Sequence, residues 1–276
     1  MENTDLDFAF SCTMAEGWLS ETKDLFDNFL SYDPKGCFIA EENNNRIGIC
    51  IATKYKQNGF IGELIVIEKK RGRGVGKSIL EKAINYLRDC GIKNIYLDGD
   101  LDAVPLYERI GFRKIYKSLR YIGKIKGRPY KHVVSPTSED INVICNLDRK
   151  LFGDERTFFL KRRFLQHPEL CKIVKKDSEI ISYLFAQPGL NVISIGPWAV
   201  LDYVEKPVEL LESIAYELED QTIRLGILEN NTKAIDVVES IESIVKSEPS
   251  WRMVLGDESY LGSNQHLFAI GSASKG

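Results

Sequence analysis

Glu63-Leu-Ile-Val-Ile-Glu-Lys-Lys-Arg71-Gly-Arg-Gly-Val-Gly-Lys-Ser78 joins a β-branched run, a glycine-rich basic turn and the opening of a helical pattern. Gly72, Gly74 and Gly76 allow the backbone to aim successive N–H groups at one anion, and a helix opening near Val75 adds its positive dipole end. Arg71, Arg73 and Lys77 supply countercharge, so the turn reads as a phosphate cradle. A nucleotide-binding Gly-x-x-x-x-Gly-Lys-Ser loop would place its last three residues at Gly76, Lys77 and Ser78. Its first glycine would then fall on position 71, which is Arg. Read as Arg-x-x-Gly-x-Gly, Arg71, Gly74 and Gly76 fit without a gap. On glycines alone a plain strand-to-helix loop stays open, and the surrounding chain has to decide.

Upstream, Asp5 to Glu16 and Ser20 to Leu30 have helical apolar spacing. Cys37 to Ala40 and Ile47 to Tyr55 flank the polar turn Asn43-Asn44-Asn45-Arg46 as a hairpin, and Phe60 to Ile67 is the strand that enters the cradle. Downstream come an amphipathic helix over Val75 to Cys90, a strand over Asn94 to Leu97, a short helix over Val104 to Ile110 and a strand over Phe112 to Ile122. Lys124 to Tyr130, with Gly127 and Pro129, is the linker candidate. The order then repeats: helices over Ser138 to Phe152 and Glu155 to Gln166, a hairpin of Cys171 to Lys175 with Ile180 to Ala186, and a strand over Asn191 to Ile195. A helix over Tyr203 to Glu219, a strand over Thr222 to Leu228, a helix over Asn231 to Ile241 and strands over Trp251 to Leu255 and Gln265 to Ile270 complete it. Two copies of one α/β unit account for this order, with domains expected at residues 1–126 and 131–276.

A second motif follows the cradle by about thirty residues: Ala103-Val-Pro-Leu-Tyr107-Glu-Arg-Ile-Gly111-Phe112. Together, Arg71-x-x-Gly74-x-Gly76 and Leu-Tyr107-x-x-x-Gly111-Phe112 resemble the GNAT acetyltransferases in the right order, over roughly residues 5 to 123. The second half is similar to the C-terminal domain of tandem GNAT proteins of the YitH type. The residues that carry this likeness are Asp148, Phe152-Gly-Asp-Glu-Arg156, Ile195-Gly-Pro-Trp198, Asn230-Asn231 and Trp251-Arg-Met253. The resemblance implies a tandem GNAT (acyl-CoA N-acyltransferase) fold: α/β, two mixed β-sheets flanked by helices, with a degenerate second domain.

It also implies acetyl transfer from acetyl-CoA to a primary amine of a small-molecule or peptide acceptor, by direct attack in a ternary complex. The backbone of Leu64, Ile65 and Val66 would pair with the pantetheine arm, and Arg71, Gly72, Arg73, Gly74, Val75, Gly76, Lys77 and Ser78 would wrap the pyrophosphate. Asp100, three residues before Ala103, stands where the family often carries a cofactor-contacting Asn. Tyr107 is the candidate acid for the leaving thiolate. An amine of ordinary pKa near 10.4 costs about 4.6 kcal/mol to deprotonate at pH 7, so a base matters more than the acid. Glu63 is the candidate base, directly or through water; a solvated strand-edge carboxylate is the competing reading. The second half has Gly196-Pro-Trp-Ala-Val-Leu-Asp in place of the cradle and Val238 in place of Tyr107, so it is not expected to bind CoA in the same way. Asp148, Arg156 and Trp198 are its candidate acceptor-binding residues, with a purely structural role as the alternative. A non-catalytic CoA sensor or structural tandem protein is the alternative to an enzyme.

Composition narrows the class further. The 276 residues are 43% hydrophobic and 28% charged, ordinary for packed domains. Residues 1–130 carry 21 Lys/Arg against 18 Asp/Glu and the remainder 16 against 22, which argues against a nucleic-acid binder but suits a local anion site in the first half. Six cysteines without a Cys-x-x-Cys pair suggest a reduced, cytoplasmic setting, and three isolated histidines imply no metal site. No run approaches a membrane span, and a homodimer is left open.

Overall fold

Both halves of the chain place two helices ahead of a hairpin, and both hairpins close through two residues of positive φ. The computed structural model describes residues 1–202, 204–218, 221–257 and 261–276. In the first half α1 (Leu6–Ala15) and α2 (Lys23–Tyr32) precede β1 (Cys37–Glu42) and β2 (Asn45–Lys54), joined through Asn43 (φ 51°) and Asn44 (φ 61°). That conformation matches the twist of paired strands, and asparagine tolerates it best after glycine. There follow β3 (Asn58–Val66), α3 (Val75–Asp89), β4 (Asn94–Gly99), α4 (Val104–Ile110) and β5 (Arg113–Gly123).

The second half contains β6 (Val133–Val134), α5 (Ser138–Phe152), α6 (Thr157–Gln166), β7 (Cys171–Lys176) and β8 (Glu179–Pro188), the last two joined through Asp177 (φ 49°) and Ser178 (φ 68°). Then come β9 (Ile193–Val200), α7 (Val208–Glu217), β10 (Ile223–Leu228), α8 (Thr232–Glu239), β11 (Ile244–Leu255) and β12 (Leu267–Ala269). The end residues 203 and 219 of the helix expected over Tyr203 to Glu219 lie outside the described residues. Thr137 and Asp140 form a capping box that starts α5. α3 owes its seat to Ile79, Leu80, Ala83, Ile84 and Leu87, one buried stripe at helical spacing.

The chain divides into two units, and their bounds differ from the expected 1–126 and 131–276. One unit is Met1–Ile115 with Trp251–Ser259 and Ala273–Gly276; the other is Tyr116–Ser250 with Tyr260–Ser272. The cause is the fifth strand of each. In the first unit β1, β2 and β3 pair antiparallel, β3 and β4 pair parallel, and the strand on β4 is the end of β11, from Trp251↔Gly99 to Leu255↔Ile95. In the second unit β7, β8 and β9 pair antiparallel, β9 and β10 parallel, and the strand on β10 is β5, from Ser118↔Leu228 to Gly123↔Ile223. Each unit thus takes its last strand from the other half of the sequence. The linker candidate 124–130 is likewise docked in the second unit: Arg128 N–H donates to the Glu212 carbonyl (3.0 Å), and a side chain at Gly127 would strike the Tyr216 backbone at 2.3 Å.

The core of the first unit gathers α3 with Ile61, Ile95, Leu97, Tyr107, Phe112 and Met253, and that of the second gathers Leu184, Trp198, Leu210, Ile214, Ile227 and Phe268. Arg252 carries its charge into the first unit at 1% exposure, where its guanidinium pairs with Asp98 and lies 5.1 Å from the Phe60 ring. All six cysteines are free thiols, and no helix among the described residues is long and apolar enough to cross a membrane.

Candidate active site

In the first unit the parallel strands β3 and β4 pair only from Asn58↔Asn94 to Ile61↔Leu97, although β3 runs on to Val66 and β4 to Gly99. Beyond Ile61 the two strands part. The opening lies at their carboxyl ends, where α/β sheets place ligands. On its other edge β3 stays hydrogen-bonded to β2, but with an extra residue: Ile49 faces Ile65 and Ile51 faces Gly62, leaving Glu63 and Leu64 opposite Cys50. Glu63 has φ 51°, a conformation that costs a non-glycine residue about 1–3 kcal/mol and collects at functional sites. The bulge re-aims its side chain at the point where the strands separate.

Glu63 is 4% exposed, and its Oε2 accepts no hydrogen bond. Burial pushes its pKa up from the usual carboxyl range to about 8, and the neighbouring Glu21 and Asp100 charges push the same way; a hydrogen bond from Ser274 and the Lys275 charge pull against them. Tyr107 stands on the other arm of the opening. A side chain at Gly99, the last residue of β4, would meet its ring at 2.7 Å, and the ring packs edge-on to Phe112 at 6.0 Å. Burial, followed by the nearby Cys50 and Asp100, holds the Tyr107 phenol above its ordinary pKa, so it keeps its proton at physiological pH. The two candidate catalytic residues thus share Cys50 and Asp100 as neighbours. The structure adds Glu21, Ser274 and Lys275 around Glu63, for which the sequence carried no local signal.

The glycine turn lies exposed after the end of β3. Gly72 (φ 74°) and Gly74 (φ 84°) occupy left-handed conformations with no atom within 4 Å of where a Cβ would stand. Gly74 is the N-cap of α3 and offers no side-chain cap, so the first-turn N–H groups of that helix are left for an anion. Arg73, Lys77 and Ser78 are exposed around it. The Arg71 Nε donates to the Val66 carbonyl (2.8 Å) and its guanidinium pairs with Glu16, tying the turn to the end of β3. Asp100 is exposed, and its carbonyl starts the turn into α4 by accepting from Ala103 (2.9 Å) and Val104 (3.2 Å). The stretch of β3 that β4 leaves unpaired, beside an uncapped, basic helix start, suits the two parts of acetyl-CoA, an amide-bearing arm and a pyrophosphate.

The second unit repeats the bulge without the chemistry. Leu184 faces Trp198 and Ala186 faces Ile195, so Gly196 (φ 134°) takes the place that Glu63 holds in the first unit. β9 and β10 pair only from Ile193↔Ile223 to Ile195↔Leu225, and β12 fills the gap that follows. Leu267 pairs with Ala199, Ala269 with Trp198, and Ile270 N–H donates to the Gly226 carbonyl (3.0 Å). The expected acceptor wall of Asp148, Arg156 and Trp198 is not assembled. Arg156 and Asp148 close a buried two-pronged ion pair (2.9 and 2.8 Å) that also accepts from the Tyr183 hydroxyl (2.5 Å), whereas Trp198 is fully buried in the core with Leu184 and against Phe268. Tyr183 and Leu184 are neighbours on one strand and face opposite sides of the sheet, which separates the ion pair from the tryptophan.

A paired bulge and splay, with a glycine turn leading into a helix in one copy, define an acyl-CoA transferase fold in tandem. Residues 4–112 match the acetyltransferase (GNAT) family and residues 144–269 a further acetyltransferase (GNAT) domain. The chain belongs to the GNAT acetyltransferases, with two GNAT domains. It is similar to N-alpha-acetyltransferase 30 of Schizosaccharomyces pombe, 26% identical over 120 residues that span 40% of this chain and 80% of that protein. A mycothiol acetyltransferase of Streptomyces avermitilis is 32% identical over 121 residues, 41% of this chain and 39% of its own length. Among solved structures, a candidate acetyltransferase from Pyrococcus horikoshii superposes with a TM-score of 0.82 at 20% identity, covering 100% of this chain and 94% of that one. A tandem GNAT protein from the clavulanic acid biosynthesis pathway superposes at 0.63 and 10% identity, covering 94% and 97%. At these identities the structural likeness speaks for the fold.

Proposed function

We propose that the first unit transfers the acetyl group of acetyl-CoA to a primary amine of a small-molecule or peptide acceptor by direct attack. The observation that carries this reading is Glu63: a buried carboxyl on a strained bulge, at the mouth of the β3–β4 opening, with a pKa near 8. A base of that pKa is matched to proton transfer near neutrality. Glu63 takes the proton that an ammonium acceptor must lose, and Tyr107 holds a proton at its Oη for a departing thiolate. Acetyl-CoA, when bound, supplies the thioester carbonyl and that thiolate. The backbone edge of Leu64, Ile65 and Val66 would hold the arm; the turn from Gly72 to Ser78 and the start of α3 would hold the pyrophosphate, with Arg71 bracing the turn from behind.

The relatives named for acetylation of N-terminal amines and of mycothiol support an amine acceptor in general rather than one acceptor in particular. The second unit is a structural partner in this reading, since Gly196 and β12 replace the base and the open edge. The test is release of free thiol from acetyl-CoA with a panel of small amines and of peptides bearing free N-termini. Amine-dependent release that Glu63→Gln suppresses supports an enzyme; cofactor binding without release from any amine would favour a CoA sensor.

A further inference from the structure

Residues 273–276 belong to the first unit although the segment before them belongs to the second, and they lie on the bulge itself. A Cβ at Gly62 would stand 2.5 Å from both the Cα and the carbonyl oxygen of Ser274, so the segment is seated directly over the glycine that precedes Glu63. Ser274 hydrogen-bonds the Glu63 carboxyl, and the Lys275 carbonyl accepts from the Tyr55 hydroxyl. Ser274 is 3% and Lys275 6% exposed, and the Lys275 ammonium lies 5.1 Å from the centroid of the Phe29 ring on α2. The segment seated on the bulge thus carries a buried primary amine whose charge reaches the Glu63 carboxyl, the same carboxyl that Glu21 and Asp100 influence.

Resting on the acetyltransferase reading, we propose that Lys275 is an intramolecular acetyl acceptor, a self-acetylation site presented to Glu63 by the docked segment. Glu63 takes one proton from the Lys275 ammonium; the neutral Nζ then attacks the thioester carbonyl of acetyl-CoA, an N–C bond forms, the C–S bond breaks, and the CoA thiolate leaves with a proton from Tyr107, which is replaced by the second proton of the attacking nitrogen. The product is an uncharged amide, which loses both the attraction to Glu63 and the cation–π contact with Phe29.

The experiment incubates the full chain with acetyl-CoA and no added acceptor, and maps acetylation by peptide mass spectrometry at several protein concentrations. Lys275 gains one acetyl group at a first-order rate independent of protein concentration. Glu63→Gln slows that rate on the order of a hundredfold, and Lys275→Arg removes the label while keeping acetyl-CoA binding by calorimetry. Hydrogen exchange without acetyl-CoA gives a second readout: amides of 273–276 are protected in the wild type and exposed in Gly62→Ala, which also loses the label. A chain that binds acetyl-CoA and acetylates added amines while Lys275 stays unmodified would overturn this inference alone. So would labelling whose rate scales with protein concentration or is as fast in Glu63→Gln as in the wild type. A chain that does not bind acetyl-CoA would overturn the parent reading first.

Discussion

Replacing Glu63 by glutamine removes the proton acceptor and preserves the shape of a side chain packed at 4% exposure. With a pKa near 8, about a tenth of the carboxyl is ionised at pH 7 and about nine-tenths at pH 9. The acceptor amine also loses its proton over this range, in wild type and variant alike, so the informative quantity is the ratio of their kcat/KM values. That ratio should start on the order of 10² near neutrality and grow about tenfold from pH 7 to pH 9. Stability supplies an independent arm. Because the folded pKa is raised, the native state holds a proton that the unfolded chain has lost between about 4.5 and 8, so stability falls with rising pH across that window and levels off above it. Glu63→Gln removes that loss, which is at most about 5 kcal/mol. Its Tm should therefore gain on the wild type at pH 9 relative to pH 4. Thiol-release kinetics and thermal unfolding across pH 4–9 measure both arms. A rate ratio independent of pH, or a variant with full turnover, would refute the assignment of Glu63 as base.

The remaining predictions concern the cradle, the acid, the second unit and the exchanged strand. Calorimetry should find one acetyl-CoA per chain. Gly74→Asp should abolish binding, since it places a carboxylate in the anion cradle at a φ of 84° that disfavours any side chain. Tyr107→Phe should lower kcat by roughly 10² with acetyl-CoA affinity unchanged, measured by steady-state kinetics beside calorimetry. Arg156→Ala leaves Asp148 buried without its partner and should destabilise the fold by about 3–5 kcal/mol in urea titration, while the acceptor KM of the folded fraction stays as in the wild type. A fragment of residues 1–128 lacks the strand that pairs with β4 and the guanidinium that neutralises buried Asp98; by circular dichroism and size exclusion it should not fold on its own.

Much of this architecture is written locally. The asparagine pair 43–44, the capping residues Thr137 and Asp140, the glycines 72 and 74 and the apolar stripe of α3 each act within a few residues, so their elements could be read from spacing and turn chemistry alone. The two motifs around Arg71 and Tyr107 did the same for the family, because a phosphate turn and a tyrosine helix are contiguous in sequence. Other features depend on pairings that no local rule contains. β5 and β11 have similar strand patterns, and only the hydrogen-bonded register assigns each to the other half, which is why the compact units change at residues 115–116 while the repeat in the sequence turns over at 126–131. Whether Asp148, Arg156 and Trp198 share a wall depends on which face of a sheet each occupies, and the alternation of Tyr183 and Leu184 sets them apart. Local sequence therefore carried most of the elements, the family and the two candidates, Glu63 and Tyr107, for base and acid. The raised pKa of Glu63 and its company came from tertiary structure, because desolvation at a bulge and the docking of Ser274 and Lys275, more than 200 residues along the chain, arise only when distant segments are brought into one buried volume.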